Sequence, residues 1–109
     1  MNDLETKCFQ IIATAGTARS AYIEATQAAK AAQFEEADSL LKEGDNAFLL
    51  AHHIHAEMIQ QFANGQRIET NILLVHAEDL IMSAETLKLM ALEFIDLYKQ
   101  MQTNQTKSK

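Results

Sequence analysis

His76 and Asp79 stand three residues apart in the stretch I-L-L-V-H-A-E-D-L-I-M, Ile72 to Met82, and their types suit chemistry better than any other pair in the chain. A neutral imidazole is nucleophilic near pH 7. It can hold a phosphoryl group as a phosphoramidate that a second nucleophile takes over. A carboxylate among apolar neighbours is costly unless it is neutralised. Asp79 has such neighbours, because Ile72, Val75, Met82 and Leu89 flank it at helical steps of three and four. On a symmetry axis, two or three copies of Asp79 would converge and repel. A bound Mg2+ or Ca2+ would resolve that repulsion, since both cations take an all-oxygen shell.

Other candidate groups carry weaker signals. His52, His53 and His55 share A-H-H-I-H-A-E-M, where His52 and His55 could offer two ligands to one face. No third ligand follows at helical spacing, and neither an H-E-x-x-H motif nor a cysteine pair is present, so these read as ordinary bundle histidines. Cys8, the single cysteine, excludes an internal disulfide and sits with Leu4, Ile11 and Ala15, as a small core residue does. The chain has no glycine-rich phosphate loop and supports no Ser-His-Asp order. A histidine without a substrate pocket of its own suits reversible phosphoryl carriage between proteins.

Three helices must position these residues. The 109 residues include no proline, three glycines and no tryptophan, and 48% are hydrophobic, a helix-forming composition for one folded domain. The first segment, about Asp3 to Ala32, places Leu4, Cys8, Ile11, Ala15, Ala18, Tyr22, Ala25 and Ala29 on one face, beside a row of Phe9, Ile12, Gly16, Arg19 and Ile23. Gly16 in mid-helix suggests close approach of another backbone or of a ligand. Arg19, one turn on, is a solvated or ion-paired side chain or one that serves an anion. The second segment, about Phe34 to Ala63, follows Phe34, Ala37, Leu41, Gly44, Phe48, Ala51, His55, Met58 and Phe62, then stops at Asn64-Gly65.

The third segment runs from about Ile72 to Met101, with Thr70 or Asn71 as its cap, and carries two seams. One is Leu73, His76, Leu80, Ser83, Leu87, Met90, Phe94, Leu97 and Met101. The other is Ile72, Val75, Asp79, Met82, Thr86, Leu89 and Glu93. One seam docks a helix into its own bundle; two predict burial on two sides, once within the subunit and once against another. His76 flanks the Asp79 seam on one side and Glu78 on the other. In a parallel cyclic oligomer, one subunit's His76 edge therefore faces its neighbour's Glu78 edge. The predicted fold is all-α, an antiparallel up-down-up three-helix bundle over residues 1–101, followed by a disordered tail at 102–109.

The formal net charge of −6 speaks against nucleic acid or an anionic membrane as partner and suits docking to basic patches on other proteins. The N-terminus lacks a signal-peptide pattern, and no apolar run approaches ~18 residues, so a soluble cytoplasmic protein is expected.

V-H-A-E-D-L-I-M resembles the signature V-H-A-Q-D-H-L-M of the lactose/cellobiose-type IIA component of the bacterial sugar phosphotransferase system. The similarity extends over F-Q-I-I-A-T-A-G-T-A-R-S in the first helix, F-E-E-A before L-L and A-H-H in the second, and L-Y-K in the third. The resemblance implies a parallel homotrimer. His76 would be phosphorylated on Nε2 by the phosphorylated general phosphocarrier protein. The group would pass to a cysteine of the cognate IIB component, driving uptake of a β-glycoside through the membrane IIC component, the chain's only and indirect link to a membrane. Asp79 matches the family's axial aspartate, which implies one divalent ion, usually Mg2+, per trimer.

Two positions depart from the signature. Glu78 replaces glutamine and brings a negative charge close to the expected phosphoryl group, and Leu80 replaces a second histidine. These departures leave a second reading, a non-catalytic helical adaptor or regulatory paralogue that binds protein partners without carrying phosphate. A histidine phosphotransfer domain would show lysine and glycine just after the histidine, where Glu78, Asp79 and Leu80 stand.

Overall fold

The computed structural model describes residues 1–107 as three long helices in up-down-up order: α1, Asp3–Lys30; α2, Phe34–Ala63; and α3, Ile72–Lys107. The bundle is a rod of 63 × 22 × 20 Å. α1 begins at Asn2, whose side chain accepts the Glu5 N–H at 2.8 Å and donates to the Glu5 carboxylate at 3.0 Å, satisfying an end that has no intrahelical partners. Asn71 caps α3 in the same way, accepting the Leu74 N–H at 2.9 Å. α2 ends as expected at Asn64-Gly65, with Gly65 at φ +88°. No glycine or proline marks the turn between α1 and α2, because Ala32 itself takes the left-handed conformation at φ +61°.

Alanine dominates the interior. Cys8, Ile11, Ala15, Ala18 and Tyr22 of α1 bury against Ala51 and Met58 of α2, and Ala25 and Ala29 against Ala37, as the spacing predicts, while Ala47 joins the core from outside the predicted row. Phe62 is the exception, lying exposed at the end of α2. The glycine that permits close approach is Gly44: a Cβ there would stand 2.7 Å from the buried Tyr22 ring. Gly16 does not have that role within the chain, since a Cβ there would meet nothing within 4 Å.

On α3, the row that docks into the bundle is Ala77, Ile81, Ala84, Ala91 and Ile95, all buried, rather than the predicted seam beginning at Leu73. Leu73, Leu80 and Leu87 of that seam pack half-buried on the core, but Met90, Phe94, Leu97 and Met101 remain exposed. Small side chains on facing helices let the backbones close, and the larger residues beside them are displaced to the margin. The expected disordered tail from 102 is helical as far as Lys107, while residues 108 and 109 lie outside the described residues. Loss of apolar periodicity marks loss of burial and not the end of the helix. No breaker occurs in Gln102–Lys107, and the Thr103 and Thr106 hydroxyls donate back to the Lys99 and Gln102 carbonyls.

Candidate functional site

His76 projects from the second turn of α3 and is exposed. Its imidazole makes no hydrogen bond or ion pair among the described residues. Asp79, one turn on, is also exposed and equally without a partner. Around it, Ile72, Val75, Met82 and Leu89 are 87, 55, 64 and 59% exposed. The structure thus brings His76 and Asp79 together on one bare face of a single helix. Their neighbourhood is largely apolar and presents a nucleophilic nitrogen to anything that docks there.

Tethers between helices hold this face in place. Arg19 Nε donates to Ser83 Oγ at 2.9 Å, which commits that nitrogen to pinning α1 on α3. Tyr22 donates to Asp45 at 2.7 Å, and Lys88 of α3 reaches the same carboxylate oxygen at 3.1 Å, so one acidic group joins all three helices. Burial pushes the Tyr22 hydroxyl well above the ordinary tyrosine range, and the hydrogen bond to Asp45 and that carboxylate's charge add to the shift. Burial likewise raises the Cys8 thiol, with further contributions from the charges of Glu78 and Glu5, which leaves it a protonated core group.

The histidines of α2 have separate surroundings. His52 stacks on Phe48 with centroids 6.2 Å apart, and His53 lies 3.4 Å from Glu57. His55 Nε2 lies 2.8 Å from Glu78 Oε1. That last contact could not be read from spacing along either helix. Its only trace was a histidine inside one apolar row and a glutamate at the edge of another. Among the described residues, no three His, Cys, Asp or Glu side chains come together in a way that could hold a metal ion.

The family described as "PTS system, Lactose/Cellobiose specific IIA subunit" matches residues 6–99. This chain belongs to it. The lichenan-specific phosphotransferase enzyme IIA component of Bacillus subtilis is 42% identical over 97 residues, covering 89% of this chain and 88% of that one. The oligo-beta-mannoside-specific EIIA component of the same organism is 38% identical, covering 84% and 83%. The crystal structure of the cellobiose-specific enzyme IIA from Bacillus anthracis superposes with a TM-score of 0.92 at 43% identity, covering 94% of each chain. The chain is therefore a phosphotransferase of the sugar phosphotransferase system, and membership implies dealings with the system's phosphocarrier and IIB proteins. No helix among the described residues is long and apolar enough to cross a membrane.

Proposed function

We propose that His76 carries the phosphoryl group, accepting it from the phosphorylated general phosphocarrier protein and passing it to the IIB component for uptake of a lactose/cellobiose-type β-glycoside. The observation that supports this most is the exposed, unpartnered imidazole of His76 on the bare face of α3. In this reading the Nε2 lone pair attacks phosphorus while the donor's own bond to phosphorus breaks and its electron pair returns to the donor. The resulting phosphoramidate is then attacked by the thiolate of a IIB cysteine. The P–N electron pair returns to the imidazole, which is free for another cycle. The transfer takes place in the cytoplasm, and the membrane is reached only through the IIC component.

The bare face of α3 is the proposed contact of a parallel homotrimer. Asp79 would then bring one carboxylate from each subunit to the axis. Among its described residues a single chain does not gather a metal site, but three unpartnered carboxylates suit a hard divalent cation such as Mg2+. That ion would supply compensation of converging negative charge, and no phosphoryl step passes through it.

The test is intact-protein mass after incubation with phosphoenolpyruvate, enzyme I and the phosphocarrier protein, with His76→Ala in parallel. Wild type should gain one acid-labile phosphate and the variant none. Absence of uptake, under conditions where another IIA protein is modified, would replace the carrier with the adaptor reading.

A further inference from the structure

Glu78 poses an electrostatic problem that the structure also addresses. It lies on the opposite edge of the bare α3 face from His76, since the two are about 160° apart around the helix at 3.6 residues per turn. Parallel packing of that face in a cyclic assembly brings one subunit's Glu78 edge against its neighbour's His76 edge. A carboxylate beside an imidazole that must accept a dianionic group opposes the reaction.

Within its own subunit, however, Glu78 turns toward α2 and meets His55, with Oε1 and Nε2 2.8 Å apart. An ionised carboxylate only accepts hydrogen bonds, so Nε2 carries the proton and donates it. The His55 side chain is 18% exposed and that of Glu78 43%, which places the hydrogen bond at the margin of the core, with reduced competition from water.

We propose that His55 is a positioning residue for phosphoryl transfer: its hydrogen bond holds the Glu78 carboxylate turned toward α2, so that the neighbouring subunit's His76 can carry phosphate. His55 does not touch phosphorus. The inference rests on the carrier reading of His76 and on parallel assembly of the α3 face. It concerns Glu78 and His55 as a pair, because removing the histidine matters only while the carboxylate remains.

The test compares initial rates of phosphoryl uptake from the phosphocarrier protein by wild type, His55→Ala, Glu78→Gln and the double variant, with sedimentation and helicity as controls. His55→Ala should slow uptake about tenfold, the order expected when a carboxylate is freed to approach the phosphoryl group at intermediate dielectric. The double variant should recover most of that loss, since an amide leaves nothing to mask. A merely structural role for His55 predicts no recovery, so a double variant as slow as His55→Ala overturns the proposal, as does a His55→Ala protein as fast as wild type. Should His55→Ala lose its assembly, Glu78→Gln alone decides: it should take up phosphate at the wild-type rate or faster, and slower uptake overturns the proposal. If wild type itself takes up no phosphate, the carrier reading fails and this inference fails with it. Uptake that is indifferent to His55 defeats this inference alone.

Discussion

The two long faces of α3 are built from different residues for different ends. The inward face is Ala77, Ile81, Ala84, Ala91 and Ile95, small or β-branched and buried. The outward face is Ile72, Val75, Met82 and Leu89, larger and bare, with Asp79 among them. A soluble subunit meant to remain alone would be expected to place its bulk inside and its polar groups outside. Here the bulk is outside. The inward face lets α3 close on the bundle, and the outward face is the one proposed to be covered by other copies, with Asp79 set among its large apolar residues.

Charge is the most direct way to break that contrast. Met82→Glu places a new carboxylate in each subunit on the outward face, where burial of an unpaired charge is prohibitive. Sedimentation should show the proposed trimer converted completely to monomers, with helicity retained because Met82 makes no part of the subunit core. Asp79→Leu works in the other direction. In the proposed trimer it exchanges converging charges for apolar packing, so the assembly should persist or tighten and lose any divalent metal it binds. Dissociation of the Asp79→Leu protein would show that the carboxylates do not meet on an axis.

The inward face should respond to volume instead. Ala84 is fully buried, and Ala84→Leu inserts three extra carbons between backbones that have already closed. Overpacking of this kind costs about 1–3 kcal/mol. At roughly 4–8 °C per kcal/mol for a domain near this size, thermal unfolding should show a clear drop. Equal stability of this variant would mean that the alanine row is not tightly packed.

This contrast also explains what could be read from the sequence. The α1 core was legible because Cys8, Ile11 and Tyr22 punctuate its alanines with larger residues at helical spacing. On α3 the large residues repeat just as regularly, but they mark the face that stays exposed. A search for bulk therefore finds the wrong seam for the fold and the face proposed here for assembly. His76 and Asp79 could be singled out as candidates because a polar residue in an apolar row stands out. The His55–Glu78 and Asp45–Lys88 contacts were not, because each joins helices whose relative register depends on side-chain packing. Gly16 and Gly44 look equivalent as letters, and only the position of the Tyr22 ring distinguishes them.

Tyr22 is the one large fully buried side chain with a hydroxyl among the described residues. Its folded-state pKa is raised, so the stability it contributes is fully present below the unfolded value of about 10 and is lost as pH rises beyond it. Tyr22→Phe removes the bond to Asp45 and should cost about 1 kcal/mol at pH 7. The same variant should lose less stability than wild type between about pH 10 and 11. Denaturant unfolding at both ends of that range checks the two signs together.

The smallest effect belongs to the end of the inward face, where Ala25, Ala28 and Ala29 pack on Ala37 across the α1–α2 turn. Ala32 closes that turn at φ +61°, with the Gln33 N–H bonded to the Ala28 carbonyl and the Ala32 N–H to that of Ala29, both at 2.9 Å. The α2 end repeats this pattern through Gln66 to Gln61 and Gly65 to Phe62, both at 3.0 Å, with glycine in the left-handed position. The two ends share one geometry and differ in a single methyl group. For an L-residue the left-handed conformation costs roughly 1–2 kcal/mol, partly offset by the smaller entropy loss of alanine on folding. Ala32→Gly should therefore raise stability by about 0.5–1 kcal/mol in denaturant unfolding, a gain for a larger-to-smaller change beside the core. A loss of stability would mean that the Ala32 methyl contributes packing worth more than the strain it imposes.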